Sequence, residues 1–256
     1  MPRGIQKGLT ARVIALATNR LLEEGFEKGS DRMLTYPVCK GFRGTVYLSA
    51  LTNHGLGLAP IVGLRSDELQ EFYCQITNEK NRPDRTSVSP GSDIFPEAYC
   101  WWFSPADPKP IIDNMCRVIR KHGIPFMNEN ASLLRICRLL KKYDTGAEKY
   151  AVALFLLGKE EKAKAAIIAR ACHDWHEWAV DKSMSFKKFF AQQCEFQKKF
   201  LGKCHGPSAI RELELALRRT PTVKTEVDFA LEREMERMTG KYVMVGKKWK
   251  KVSNEA

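Results

Sequence analysis

The chain has 256 residues, of which 44% are hydrophobic and 28% are charged, and its formal net charge is +12 at pH 7. This composition predicts a folded chain with a sizeable core and excludes a chain that is disordered throughout. The longest apolar run, residues 151–157, is far shorter than the roughly 18 residues that a membrane span needs, and the N-terminal residues lack the pattern of a secretory signal. We therefore expect a cytoplasmic protein without membrane contact.

The excess positive charge is concentrated in the second half of the chain. Residues 1–110 carry a net charge of +1, whereas residues 111–256 carry +11. Such asymmetry predicts an acidic partner, either nucleic acid or the acidic surface of another protein. The alternative is a solvated basic face that only aids solubility.

The elements predicted first in the chain are one helix and three strands. Residues 5–24 place apolar side chains at helical spacing. Strands are predicted over residues 32–38, 45–51 and 58–64. Gly41 and Gly44 indicate a turn between the first two strands, and Pro60 assigns the third strand to a sheet edge or to an early bulge.

A second helix, a loop, a strand and a third helix complete the first half. Ser66 is the expected N-cap of a helix, and the polar residues 77–92 predict a long loop. The aromatic residues 98–103 predict a buried strand, and residues 111–122 predict a helix after three prolines. We interpret residues 1–125 as an α+β domain with a small, mostly antiparallel sheet.

Strand signals disappear after about residue 130, and a helical array follows. Helices are predicted over residues 147–157, 160–171, 185–201, 207–218 and 225–238. The first two resemble a single tetratricopeptide-type hairpin with its turn at Gly158, in which Ala151, Ala163 and Ala166 allow close approach. The repeat period of such arrays does not recur. We predict a helical domain over 126–240 and a basic tail over 241–256.

The eight cysteines include no C-x-x-C pair and match neither a zinc ribbon nor a redox motif. A disulfide framework is typical of smaller, secreted chains. We interpret the cysteines as reduced, mostly buried thiols, and we predict no cofactor. They are Cys39, Cys74, Cys100, Cys116, Cys137, Cys172, Cys194 and Cys204.

One pair of histidines has the spacing of metal ligands. His173 and His176 are one helical turn apart, and a carboxylate nearby could complete a zinc site. Further ligand types stand at Asp174, Glu177, Cys204 and His205. The motif is not H-E-x-x-H, and two tryptophans are interleaved with it. Because this pattern is more typical of a packed helix seam, we predict no metal.

Two sets of residues have the chemical types of catalytic sites but lack the sequence context that such sites need. Asp84, Asp107 and Lys109 carry the residue types of a metal-dependent nuclease, but prolines surround them where strands would be needed. Cys39 and His54 could form a nucleophile and a base, but no nucleophile elbow or phosphate loop accompanies them. We predict no catalytic residue and favour a protein that is not an enzyme.

The basic second half supplies the predicted binding residues. Their cations would contact phosphates or an acidic protein, and the tryptophan could stack on a base. They are Lys187, Lys188, Lys198, Lys199, Lys203, Arg218, Arg219, Lys247, Lys248, Trp249, Lys250 and Lys251. The interleaved phenylalanines over residues 186–200 are expected to be core.

Residues 42–53 (FRGTVYLSALTN) and 58–65 (LAPIVGLR) resemble an uncharacterised bacterial protein family. The segments WWF at 101–103 and LLGK at 156–159 fit the same pattern, so the resemblance covers about residues 5–175. The family is loosely similar to small proteins of immunity and defence loci. The resemblance implies no catalytic residue.

Together these features predict a non-catalytic binding or adaptor protein of a bacterial system that acts through protein–protein contacts, and the resemblance implies a role in immunity or antiviral defence. The alternative is a nucleic-acid-binding protein that uses the basic half. The sequence leaves the oligomeric state open.

Overall fold

The computed structural model describes residues 3–30, 32–51, 56–82, 85–91, 93–95, 100–103, 107–143, 146–180, 184–222, 242–245 and 248–251. For residues 3–7, 180, 242–245 and 248–251 the description covers the backbone only. An antiparallel sheet is followed by a helical region, which confirms the predicted α+β class.

The described residues of the first half contain one long helix, six strands, three further α-helices and one π-helical turn. Their bounds are α1 Arg3–Glu23, β1 Glu27–Lys28, β2 Met33–Cys39, β3 Phe42–Leu51, β4 Leu56–Ser66, α2 Asp67–Thr77, β5 Val88–Gly91, β6 Trp101–Phe103, α3 Lys109–Val118, a π-helical turn Ile119–Gly123 and α4 Ile124–Glu129.

Six helices and a hairpin follow. Their bounds are α5 Leu133–Tyr143, α6 Ala147–Leu156, α7 Glu160–Val180, α8 Phe186–Gln192, α9 Glu195–His205, α10 Pro207–Arg219, β7 Tyr242–Val245 and β8 Lys248–Lys251. The hairpin lies in the predicted basic tail, and the predicted helix over 225–238 lies outside the described residues.

The sheet is built around the long pair of β3 and β4. They pair antiparallel through ten consecutive residue pairs, from Phe42 opposite Ser66 to Leu51 opposite Gly57. β2 pairs with β3 on the side opposite β4, and β1 pairs with β2 at the edge of the sheet. The helix formed by α3, the π turn and α4 covers one face, where Met127 occupies the space beside Gly44 and Gly123 lies against Val62.

The position of Gly44 corrects the predicted turn. Gly44 lies inside β3, and the turn between β2 and β3 is at Gly41, whose φ is +81°. Since the sulfur of Met127 fills the position where a Cβ of Gly44 would lie, this glycine serves close packing and not a turn.

β4 is a central strand, so the edge position predicted from Pro60 is wrong. β5 pairs beside Val62 and Leu64, β6 pairs beside residues 56–58, and Pro60 lies between these two partners. Ser89 Oγ donates to Val62 O at 2.7 Å, on the side away from β3. The backbone N–H and C=O groups of residues two apart in a strand point to the same side. The nitrogen of Pro60 therefore also faces away from β3, and its missing N–H removes no hydrogen bond to β3.

Two further boundaries differ from the sequence expectation. The loop predicted over 77–92 contains β5. The helix predicted over 111–122 begins at Lys109, whose backbone N–H donates to Asp107 Oδ1 at 3.0 Å, and it continues through the π turn to Glu129.

A buried arginine anchors the segment between α2 and β5. The side chain of Arg65 is only 4% exposed. Its guanidinium donates to Asp67 Oδ1 (2.6 Å), Arg82 O (2.6 Å), Arg85 O (3.1 Å) and Asn81 Oδ1 (2.9 Å). Gln70 Nε2 and Lys149 Nζ both donate to Thr86 O nearby. These bonds supply the partners that a buried charge requires.

The helical hairpin of α6 and α7 confirms the predicted turn at Gly158. Gly158 has a φ of +70°, and Lys159 N donates to Leu154 O at 2.9 Å, as in a Schellman motif. Ala151 and Ala163 are fully buried between the two helices, while Ala166 is half-buried.

We expect Ala163→Leu to lower the free energy of unfolding by about 1–3 kcal/mol, because three added heavy atoms must fit where the helices meet. Ala165→Leu is the matched control: Ala165 is exposed on the same helix, so its change should stay within about 0.5 kcal/mol. Urea unfolding followed by circular dichroism measures both. Equal stability of the two variants would contradict the close crossing.

The helix predicted over 185–201 is in fact two helices, which break at Gln193 and Cys194. The phenylalanines before and after the break pack in different directions. Phe189 contacts the Trp175 ring of α7, whereas Phe196 contacts the Tyr73 ring of α2. The second of these helices, α9, ends at His205, and Gly206 is its C-cap.

The two predicted domains share one hydrophobic cluster. α5 packs on β4 and β5, and both α6 and α9 pack on α2. The predicted boundary between residues 125 and 126 lies within α4. Division into two domains stays a prediction.

Candidate functional site

Four of the predicted basic residues come together where α8 begins and α10 ends. The Arg218 guanidinium lies over the Phe186 ring, with its carbon 4.6 Å from the centroid. Because Phe186 opens α8, this contact places Lys187 and Lys188 beside the last turn of α10. We call Lys187, Lys188, Arg218 and Arg219 the basic cluster; all four are exposed.

The helix termini at the basic cluster are defined by local chemistry. Ser185 is the N-cap of α8 in an extended conformation, and its Oγ accepts from Lys188 N at 3.4 Å. Arg218 and Arg219 occupy the last turn of α10, where cations compensate the partial negative charge of a helix C-terminus. The last part of α7 contacts the residues that follow α10, because His176 Nδ1 lies 2.8 Å from Pro221 O.

Most of the charge in the basic cluster is uncompensated. Arg218 pairs with Glu214 at 2.7 Å. The side chains of Lys187, Lys188 and Arg219 form no hydrogen bond or ion pair with any residue that the structure describes. Leu215, one turn before Arg219, is 52% exposed. The cluster therefore combines free cations with an exposed apolar side chain.

Three other predicted residues, all on α9, make contacts within the fold. Lys198 donates to Ala191 O at 3.1 Å and lies over the Phe190 ring. Lys199 pairs with Glu195 at 2.7 Å. Lys203 donates to Gln75 Oε1 at 2.8 Å and lies over the ring of Phe72, so it ties α9 to α2.

The remaining predicted residues are in the C-terminal tail. Lys248, Trp249, Lys250 and Lys251 form strand β8, which pairs with β7. The described backbone of the predicted basic tail is thus a hairpin. Lys247 lies outside the described residues.

A second basic surface was missed by the sequence reasoning. α5 exposes Arg135, Arg138, Lys141 and Lys142, and its sequence contains no acidic residue. Leu134 is 40% exposed on the same helix. The signal was present in the composition of residues 133–143, which contain four Arg and Lys residues and no acidic residue.

The histidines of the metal hypothesis have other neighbours. His173 Nδ1 lies 3.8 Å from Glu177 Oε1, and both side chains are more than half exposed. The His205 ring packs beside those of Phe155 and Phe200. In the described parts of the chain, no group of three or more His, Cys, Asp or Glu side chains is placed to hold a metal ion.

The residues of the catalytic hypotheses are only partly described. The Asp107 carboxylate accepts from Lys109 N at the start of α3, Cys39 is exposed at the end of β2, and both His54 and Asp84 lie outside the described residues. Four of the eight cysteines are buried, and burial raises the pKa of the Cys116 thiol to about 12.

No family model, curated protein or solved structure matches this chain. Among the described residues, none of the helices is both long enough and apolar enough to cross a membrane. The protein is thus defined by its own geometry as an α+β chain with a basic helical face.

Proposed function

We propose that this protein is a non-catalytic binding protein that recognises an acidic surface on another protein through the basic cluster. The observation that carries the proposal is the contact of Arg218 with Phe186, which joins cations from two helices into one exposed group. Cations of this kind speed association and select partners of opposite charge.

The exposed leucine favours a protein partner over nucleic acid. Leu215 is accessible beside Arg219; arginine is enriched in the core of protein interfaces, and burial of an adjacent apolar side chain adds to binding there. A nucleic-acid surface would place more cations along a phosphate backbone, with aromatic side chains for the bases.

Charge reversal of the basic cluster is the direct test. We expect Lys187→Glu/Lys188→Glu/Arg219→Glu to weaken binding of a labelled helical peptide rich in Glu and Leu by roughly tenfold or more, because three free cations become anions. Fluorescence anisotropy at several salt concentrations measures the affinity.

The second basic surface provides a stringent control. Arg135→Glu/Arg138→Glu/Lys142→Glu changes the net charge by the same amount on α5 and should leave peptide binding close to wild type. Loss of binding in the α5 variant alone would contradict the assignment to the basic cluster. Tighter binding of a DNA duplex than of the peptide, at equal salt, would replace the protein partner by nucleic acid.

The cellular setting belongs to the same proposal. We place the protein in the cytoplasm as an adaptor. A role in bacterial immunity or antiviral defence, and the resemblance that suggested it, stay predictions from the sequence.

A further inference from the structure

The second basic surface is a row of cations along α5. Arg135, Arg138 and Lys142 follow one another at spacings of three and four residues, which places them on one side of the helix. Lys141 is exposed beside them. At about 1.5 Å of rise per residue, the row from Arg135 to Lys142 extends over roughly 10 Å. The opposite face, which includes Ile136, is buried, so α5 presents its cations to solvent.

The charge of the second basic surface is uncompensated within the part of the chain that the structure describes. The side chains of its four residues form no hydrogen bond or ion pair there. Lys142 Nζ lies 4.9 Å from the centroid of the Tyr143 ring, a contact that leaves its positive charge in place. Because α5 itself contains no acidic residue, these cations are available to a partner.

A further cation lies beside α5, and the whole surface is distant from the basic cluster. Lys159 is exposed at the turn between α6 and α7. Burial raises the pKa of the Cys137 thiol on α5, and the charges of Lys159 and Lys141 oppose that rise, so both lysines lie near Cys137. At about 1.5 Å per residue, α7 runs roughly 22 Å from its start beside Lys159 to Trp175, whose ring contacts Phe186 at the basic cluster.

The regular spacing of the row favours a polymer whose negative charges are also regularly spaced. A nucleic-acid strand carries one phosphate per nucleotide, and the phosphates of a stacked strand advance by about 3.4 Å each. Four successive phosphates therefore span roughly 10 Å, as the four cations of the second basic surface do. An acidic protein surface has no comparable period, because its carboxylates stand among other side chains.

The side chains at the two ends of the row favour a single strand over a duplex. Leu134 is 40% exposed at the start of α5, and Tyr143 is half-buried at its end. Apolar and aromatic side chains contact the faces of unpaired bases, which a duplex hides within its stack. We infer that the second basic surface binds single-stranded nucleic acid, with its cations on the phosphates and with Leu134 and Tyr143 against bases.

Titration of the full chain with a fluorescein-labelled oligothymidylate of about 15 nucleotides tests the inference. We expect binding by fluorescence anisotropy. The logarithm of the binding constant should fall against the logarithm of the salt concentration with a slope of about −3, because each of four phosphate contacts contributes about −0.7. No binding at about 50 mM salt, or a DNA duplex of the same length that binds as tightly, would overturn the inference without involving any variant.

A neutral variant of α5 locates the site. Arg135→Gln/Arg138→Gln/Lys142→Gln should weaken binding of the oligothymidylate by roughly tenfold or more and flatten the salt slope by about 2, because three phosphate contacts are removed. The three side chains are exposed and glutamine is a good helix former, so the fold should be kept, which circular dichroism checks. Unchanged affinity in the folded variant would contradict the assignment.

The matched control removes the same charge from the basic cluster. Lys187→Gln/Lys188→Gln/Arg219→Gln should leave both the affinity for the oligothymidylate and the salt slope close to wild type. Equal weakening by the two variants would show attraction to the net charge of the chain as a whole and would contradict a site on α5. The inference is independent of the proposed acidic-partner surface, whose test uses the peptide, so either can fail alone.

Discussion

Replacement of Arg65 by methionine should lower the free energy of unfolding by about 3–5 kcal/mol. The variant keeps an unbranched apolar side chain in place of the arginine stem but removes the Arg65 donors to Asp67, Asn81 and the carbonyl oxygens of residues 82 and 85. Arg85 O, beside a 4%-exposed side chain, would then lose the Arg65 donor, and Arg82 O would keep only Arg85 N, which lies 3.2 Å away. Urea denaturation measures the loss.

Arg43→Met is the matched control for Arg65→Met. Arg43 contacts the same aspartate at 3.6 Å, but its side chain is 43% exposed. An exposed ion pair contributes about 0–1 kcal/mol, so the control should be nearly neutral. Limited proteolysis adds a local measurement: cleavage within residues 78–87 should accelerate in Arg65→Met only. Similar stability and similar cleavage in the two variants would show that Arg65 does not anchor this segment.

Phe200→Ala should destabilise the protein by about 3–5 kcal/mol. Phe200 is fully buried, and its ring contacts those of Phe155, Phe196 and His205. Truncation would leave a cavity where α9 meets α6, and the surrounding rings cannot fill it by small shifts.

Leu215→Ala serves as the control for Phe200→Ala, because Leu215 is exposed and its truncation should change stability by less than about 0.5 kcal/mol. Thermal unfolding in parallel with urea denaturation measures both variants. A Phe200→Ala protein as stable as Leu215→Ala would mean that the aromatic contacts of α9 do not hold it against α6.

The elements that were predicted correctly depend on neighbours in sequence. The Ser66 cap needs only the backbone of Leu69, and the turn at Gly158 needs only residues 154–159. Within each signal, the interacting residues are only a few positions apart in the sequence. They were therefore visible in the chain without knowledge of its fold.

The features that were missed depend on distant residues. β5 forms because β4 offers it a free edge, and the helix breaks at Cys194 because Phe189 and Phe196 pack on different helices. No local pattern reports either fact. Pro60 misled the prediction for the same reason, since its effect depends on which side of β4 is paired.

The candidate sites divide in the same way. Charge alone was enough to predict every residue of the basic cluster from the sequence. It could not show that Arg219 has a free side chain whereas the side chain of Lys203 is bound to α2. Lys159 and the cations of α5 are separated in the sequence by the whole of α6. Only the tertiary packing shows that they meet.

The missing N–H of Pro60, between the described residues of β5 and β6, also bears on how copies of this protein avoid one another. A strand from a second chain that approached β4 between β5 and β6 would seek the N–H of residue 60, and proline has none. Ile61, which is 38% exposed there, would otherwise make this stretch attractive for intermolecular pairing. The residue that disfavours a central strand in sequence-based prediction thus also leaves β4 without a donor for a strand of another chain at this position.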